Sequence, residues 1–262
     1  MTLKRVAHYL LALALIITVL STVTGCIGPR VTGSGNLETR EMDYSDFTRL
    51  YVGSLFQVTV TRADSFSVSL TLDDNLYDYV VIRRSGSTLQ LGLKWGTYLR
   101  ATLKATITMP DLRALDLSGA SRGDVSGFNS PESLVIDVSG ASSLYIDDVT
   151  AGKTNFDISG ASRVSGSIET ADIIFDVSGA STVELDGTAD DMTVGASGAS
   201  SVKLADFTAT DASVELSGAS NATVNASGEL DIDLSGASTL YYFGSPILRR
   251  VNVSGASTIQ QR

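Results

Sequence analysis

Ile136-Asp137-Val138-Ser139-Gly140-Ala141-Ser142-Ser143-Leu144-Tyr145-Ile146 is one pass of a pattern that runs through more than half of this chain. Its centre, Ser-Gly-Ala-Ser, begins at Ser118, Ser139, Ser159, Ser178, Ser197, Ser217, Ser235 and Ser254. These eight copies are offset by 21, 20, 19, 19, 20, 18 and 19 residues. A period near twenty marks stacked coils, each covering the apolar floor of its neighbour. Apolar residues alternate on both sides of the word. Ile136 and Val138, Phe156 and Ile158, and Phe175 and Val177 precede it; Leu144 and Ile146, Val183 and Leu185, and Val202 and Leu204 follow it. Alternation with period two means strands with one buried face. Each coil therefore holds at least two short strands, with the word at the corner between them. A glycine fixed in that corner suits a turn that a Cβ would obstruct. The expected fold is all-β: a single-stranded, right-handed parallel β-helix with coils of about 20 residues. Eight coils at about 4.8 Å each would make a rod of roughly 38 Å.

Ahead of the repeats, residues 1–25 read as a leader. Lys4 and Arg5 form a basic start, and Tyr9 to Leu20 is an apolar run too short for a comfortable membrane span. Val23-Thr24-Gly25-Cys26 resembles a bacterial lipobox. The resemblance implies cleavage between Gly25 and Cys26, diacylglyceryl transfer to Cys26, and a protein held at the membrane by lipid, outside the cytoplasm. Residues 26–32 would then be a lipidated tether, 33–112 irregular first coils that cap the solenoid, and 113–262 its eight regular coils.

Cleavage changes what the composition means. Losing Lys4 and Arg5 moves the formal charge from −10 to −12. His8, the only histidine, leaves with the leader, and Cys26, the only cysteine, is consumed by lipid. No His base, Cys nucleophile, His or Cys metal ligand, or disulfide remains. The acidic balance argues against nucleic acid as a partner and against electrostatic docking on anionic membranes. No cofactor is expected.

One alignment carries the pattern into the irregular part. Leu50-Tyr51-Val52-Gly53-Ser54-Leu55-Phe56-Gln57-Val58-Thr59-Val60 superimposes without a gap on residues 136–146. Phe56 falls where Ser142 falls, so the last serine of each word should point inward. The column is Ser121, Ser142, Ser162, Ser181, Ser200, Ser220, Ser238 and Ser257, and its hydroxyls must find partners. Further strands are expected at 66–72, 88–93 and 103–109, closing the N-terminal end. Nothing of the kind follows the eighth corner, so a homo-oligomer could form through the C-terminal end.

Two residues before each word stand Asp116, Asp137, Asp157, Asp176, Gly195, Glu215, Asp233 and Asn252. Flanked by inward residues, this acidic ladder points out. Charges one coil apart repel by roughly 0.9 kcal/mol even in water. Ca²⁺ binding would offset that, but calcium needs six or more convergent oxygens and a flat ladder offers few. Hydrogen bonding and solvation suit the column better. An alternative is a polysaccharide-active enzyme of β-helix type using surface Asp and Glu. The ladder supplies many equivalent carboxylates and no distinguished pair, while Arg122 and Arg163 lie two coils apart with no sustained basic stripe. A second outward column, Asp124, Tyr145, Ser165, Glu184, Lys203, Thr223 and Tyr241, changes chemistry from coil to coil. Tyr145, Tyr241, Phe243, Trp95 and Tyr98 could stack on a sugar or a protein.

Gly33-Ser34-Gly35-Asn36-Leu37, Phe47 to Val52, Asp73-Asp74-Asn75-Leu76, Ile107-Thr108-Met109-Pro110 and the repeat array together resemble the GIN-domain family of autotransporter adhesin heads. The resemblance runs from about residue 33 to the end, and the array is its specific part. It implies a β-superhelix similar in shape to pectin lyases, with Gly-Ser turns, a role in adhesion and no shared catalytic residues. The combined expectation is a lipid-anchored module of the cell envelope that binds a protein or glycan, or serves as a scaffold, without catalysis.

Overall fold

The structure, a computed structural model, describes residues 28–262. The leader, the Gly25–Cys26 step and Cys26 itself lie outside the described residues. The chain is a parallel β-solenoid whose eight corners bound about seven full turns. Successive coils pair in register. Ile136 stands beside Phe156, then Phe175, Val194, Val214, Ile232 and Val251. All but the last are buried. Phe156 and Phe175 stack with centroids 5.2 Å apart. After the corner, Leu144, Val164, Val183, Val202, Ala222, Leu240 and Ile259 form a matching inner column.

Each coil also has a third strip that the repeat does not announce. Strands such as Ser143–Ile158 and Ser201–Leu216 run on past the second side, with register shifts at Ile146/Val149, Glu184/Gly187 and Lys203/Thr208. Val149, Ile168, Phe207 and Ala209 point inward there. The shifts absorb the variation in coil length and leave the corners aligned. Phe207 fills the space opposite Gly187 and meets the Phe175 ring edge-on at 6.5 Å.

The corners themselves form a backbone ladder. The Ala N–H of one corner donates to the Gly carbonyl of the preceding one: Ala180 to Gly160 and Ala199 to Gly179 at 2.8 Å, Ala237 to Gly218 and Ala256 to Gly236 at 2.7 Å. The corner glycines from Gly140 to Gly255 have φ between +71° and +76°. From Gly160 onward, an added Cβ would lie 2.3 to 2.7 Å from the preceding glycine's carbonyl oxygen. Left-handed backbone and close approach both demand glycine. The first corner differs, with Gly119 and Ala120 both left-handed.

At the N-terminal end the parallel faces continue and then close. Arg49–Val52 lies between Ala114–Leu117 and Thr88–Leu93; Gln57–Arg62 lies between Arg122–Ser126 and Leu103–Met109. Pairing then turns antiparallel. Val80–Ser85 joins Thr88–Leu93, Ser67–Asp73 joins Leu103–Met109, and Leu37–Met42 joins Ser67–Asp73. The free edge strands carry Glu38, Arg40 and Glu41 on one and Arg83 and Arg84 on the other, charges that discourage further strand addition. A short 3₁₀ turn, Asp74–Tyr79, seats Leu76 in the core.

Asp73 latches this cap. Its carboxylate is 1 % exposed and accepts from Gly35 N–H and Thr102 N–H, each at 2.7 Å. Asn75 donates to Thr32 O at 2.8 Å and accepts from Ser34 N–H at 3.1 Å. Gly33 packs so close that a Cβ would sit 2.6 Å from Asp73 Oδ2. The Gly-Ser-Gly-Asn and Asp-Asp-Asn stretches are thus two halves of one structural lock. Arg30–Thr32, expected as tether, instead pairs in parallel with Thr97–Leu99, and Val31 packs against the core.

The other end is open. Leu248, Val251 and Val253 sit in register with Leu230, Ile232 and Leu234. The inner three are at most 1 % exposed, whereas Leu248 is 42 % and the two valines 46 % exposed. Among the described residues nothing covers them.

Candidate functional site

The inward serines occupy the corner's inner side. Ser121, Ser142, Ser162, Ser181, Ser200, Ser220 and Ser238 are buried, and Ser257 on the open coil is half-exposed. Their hydroxyls find backbone partners in two ways. Ser121, Ser200, Ser220 and Ser238 donate to the carbonyl of the word's first serine, at 2.6 to 2.9 Å. Ser142, Ser181 and Ser257 instead accept from the serine N–H of the preceding coil. Ser162 Oγ has no partner among the described residues. The seven buried serines are corner framework.

Outside, the ladder positions stand in register along the whole array. Asp116, Asp137, Asp157 and Asp176 are direct neighbours, followed by Gly195, Glu215, Asp233 and Asn252. Asp157, Asp176, Glu215 and Asp233 are exposed; Asp116 and Asp137 are half-buried, close to the cap. Burial, and secondly the charge of Asp137, pushes the Asp116 carboxyl up to about 6. Burial and then Asp157 raise Asp137. The folded state holds these protons more tightly than the unfolded chain does. Stability therefore falls as pH rises from the ordinary carboxylate range near 4 through about 6, and levels off above it. Asp116→Asn is expected to gain on the order of 1 kcal/mol at neutral pH, discounted for partial exposure, and to flatten that slope. Thermal melts of both proteins between roughly pH 5 and 8 check this. A variant no more stable than its parent at pH 7 contradicts it.

The carboxylates lie on one line, and among the described residues no three His, Cys, Asp or Glu side chains converge as a metal site. Gly195 interrupts the line. Its backbone is not left-handed, and a Cβ there would meet only Phe175 O at 3.6 Å. The missing side chain opens a depression of about 320 Å³, flanked by Asp176 and Glu215 and edged by Thr193, Ser197 and Ser217. The two carboxylates are two coils apart, roughly 9.6 Å.

In the second outward column, Asp124 to Tyr241 stand in register as the spacing implies. Glu184 bridges to Arg163 at 3.7 Å and to Lys203 at 3.5 Å. These exposed pairs are worth well under about 1 kcal/mol each. Arg122 and Arg163 face each other across Ser143, two coils apart. The aromatics do not gather: Trp95 and Tyr145 are exposed separately, Tyr98 is tied to Lys94 O at 2.7 Å, and Tyr241 lies under Arg262 at 3.8 Å.

A family model described as "Putative auto-transporter adhesin, head GIN domain" matches residues 46–246. No curated protein matches the chain. Among solved structures, one titled a putative adhesin from Parabacteroides merdae is similar at a TM-score of 0.81 and 18% identity, covering 89% of this chain and 99% of its own. A second putative adhesin, from Parabacteroides distasonis, gives 0.80 at 20% identity, with 89% and 100% covered. A structure titled a putative lipid binding protein from the same species gives 0.77 at 22% identity, with 89% and 100% covered. At these identities the likeness is one of fold.

Proposed function

The chain belongs to the auto-transporter adhesin head GIN-domain family, and from that premise we propose that it is a non-catalytic binding module for adhesion at the cell envelope. The observation that carries this reading is the outward face. Its side chains are held in register, coil after coil, on a rigid core, which suits a surface meant to be bound along its length. Cells displaying the protein should adhere to host or neighbouring-cell surfaces more strongly than cells lacking it. Equal adherence of the two would count against the reading. The lipobox at Gly25–Cys26 supports lipid anchoring outside the cytoplasm. Labelling with a palmitate analogue should mark the protein and should disappear in Cys26→Ser; an unlabelled parent would remove the anchor.

Hydrolysis of a polysaccharide is the second reading, because Gly195 singles out Asp176 and Glu215 from the ladder. Their roughly 9.6 Å separation lies at the upper edge of the spacing used by inverting glycosidases. Both carboxylates are exposed, and neither sits in the apolar surroundings that make a general acid. A reducing-sugar assay on the same glycans used for binding decides it: turnover lost in Asp176→Asn would favour the enzyme, and binding without turnover the module.

The open C-terminal coil supports a further proposal, self-association. Its edge is the same surface that each inner coil covers with another coil, and three apolar residues lie bare on it. Two copies meeting end to end would cover both. Sedimentation at rising concentration should show a dimer that Val251→Lys plus Val253→Lys abolishes; a parent that stays monomeric contradicts it.

A further inference from the structure

The outward column that carries the acidic ladder does not stop at Asp116. It continues in register through Tyr51, Gln90 and Arg83. Where the solenoid passes into its cap, carboxylates thus give way to an aromatic ring, a carboxamide and a guanidinium. The adjoining corner column changes in the same place. Later coils put Ser118 and Ser139 there, and the first rungs put Gly53 and Gly92. Neither glycine is left-handed, and a Cβ on Gly92 would only touch Ser54 Oγ at 3.6 Å. The backbone does not require glycine at Gly92; what its absent side chain provides is room.

That room is a cavity of about 370 Å³, lined by Tyr51, Gln90, Arg83, Ser118 and the half-buried Val81, the partner of Gly92 across the strand pair. The volume falls at the small end of ligand sites, which run from about 300 to 1,000 Å³. Tyr51 is 42 % exposed, and its hydroxyl lies 3.4 Å from Ser118 Oγ. Arg83 Nε donates to Gln90 Oε1 at 2.7 Å, which holds the two polar heads together at the cavity. The remaining guanidinium N–H groups and the Gln90 carboxamide N–H₂ are further donors. Ser54 and Leu55, left-handed at φ +61° and +69°, form the corner beside the cavity, as Gly119 and Ala120 do one coil on.

We propose that this cavity is a carbohydrate subsite, in which a pyranose ring lies against Tyr51 and its hydroxyls bond to Gln90, Arg83 and Ser118. An aromatic plate beside mixed donors and acceptors matches a sugar, which is apolar on its C–H face and polar around its rim. The proposal rests on the reading of the chain as a binding module and names the ligand class and the place.

The test titrates the full-length protein calorimetrically with hexamers of glucose, N-acetylglucosamine, xylose and galacturonate. At least one should bind. Tyr51→Ala, and separately the pit-filling Gly92→Ser, should weaken that binding about tenfold or more with melting temperature unchanged. Binding by none of the four, or binding unaltered in both variants, overturns the subsite. Adherence separates this from the broader reading. Displaying cells that adhere while none of the four sugars binds sink the subsite and leave adhesion standing, whereas a parent that binds a sugar and does not adhere sinks adhesion alone.

Discussion

Asp73→Ala is expected to cost about 3–5 kcal/mol and to loosen the N-terminal cap selectively. The buried carboxylate holds two backbone N–H groups, Gly35 and Thr102, that come from distant parts of the chain. Removing it leaves both donors buried without an acceptor, and each loses a charge-assisted bond of about 1.5–3 kcal/mol. The solenoid beyond Ala114 touches none of these groups, so the loss should stay local, as in other stacked-repeat proteins. Hydrogen exchange makes the distinction. Amides of Ser67–Asp73 and Leu103–Met109 should lose protection, while those of Arg163–Val177 keep theirs. Asp73→Asn, which retains one acceptor oxygen, should lose roughly half as much. Uniform loss along the whole chain, or none, would contradict the latch.

Gly198→Ala should be equally severe for a different reason. Its φ is +74°, and the new Cβ would fall 2.6 Å from Gly179 O. The left-handed conformation alone costs a non-glycine residue about 1–2 kcal/mol. The contact adds more, because the obstructing atom is backbone that already accepts from Ala199 at 2.8 Å. A total of about 3 kcal/mol or more is expected. Gly86→Ala serves as the comparison: its φ is +59°, with nothing within 4 Å of the new Cβ. It should cost about 1 kcal/mol, the conformational share by itself. Chemical denaturation of both variants checks the pair; equal costs would mean that the close stacking of corners contributes nothing.

Much of this architecture was legible because the repeat states it twice, once in the corner word and once in the alternation around it. Ile136, Phe156 and Phe175 could be stacked on paper, and Phe56 pointed to the inward serines through a single gap-free alignment. Thr88–Leu93 and Leu103–Met109 emerged with the bounds their alternation implied. The third strip did not, because the register shifts that let coils of 18 to 20 residues share one axis fall there and blur its period. Nor did the antiparallel turn of the cap, since alternation is the same for either direction of pairing. Asp73 was one polar residue in an Asp-Asp-Asn run, and only tertiary contacts decide which of them is buried. Gly195 was visible as a gap in the ladder. The link from Asp116 through Tyr51 to Gln90 and Arg83 was not, because it crosses strands far apart in the chain.

The central claim is that the coils rise along one axis at a constant step, and distances between outward labels measure this most directly. With Cys26 replaced by Ser, nitroxides can be placed at Tyr145→Cys with Lys203→Cys, and at Tyr145→Cys with Tyr241→Cys. These pairs lie three and five coils apart in one registered column. Pulsed electron resonance should give backbone separations of about 14 Å and about 24 Å, in the ratio of the coil steps. Separations that do not grow with the number of coils would contradict the solenoid and, with it, every reading of its face.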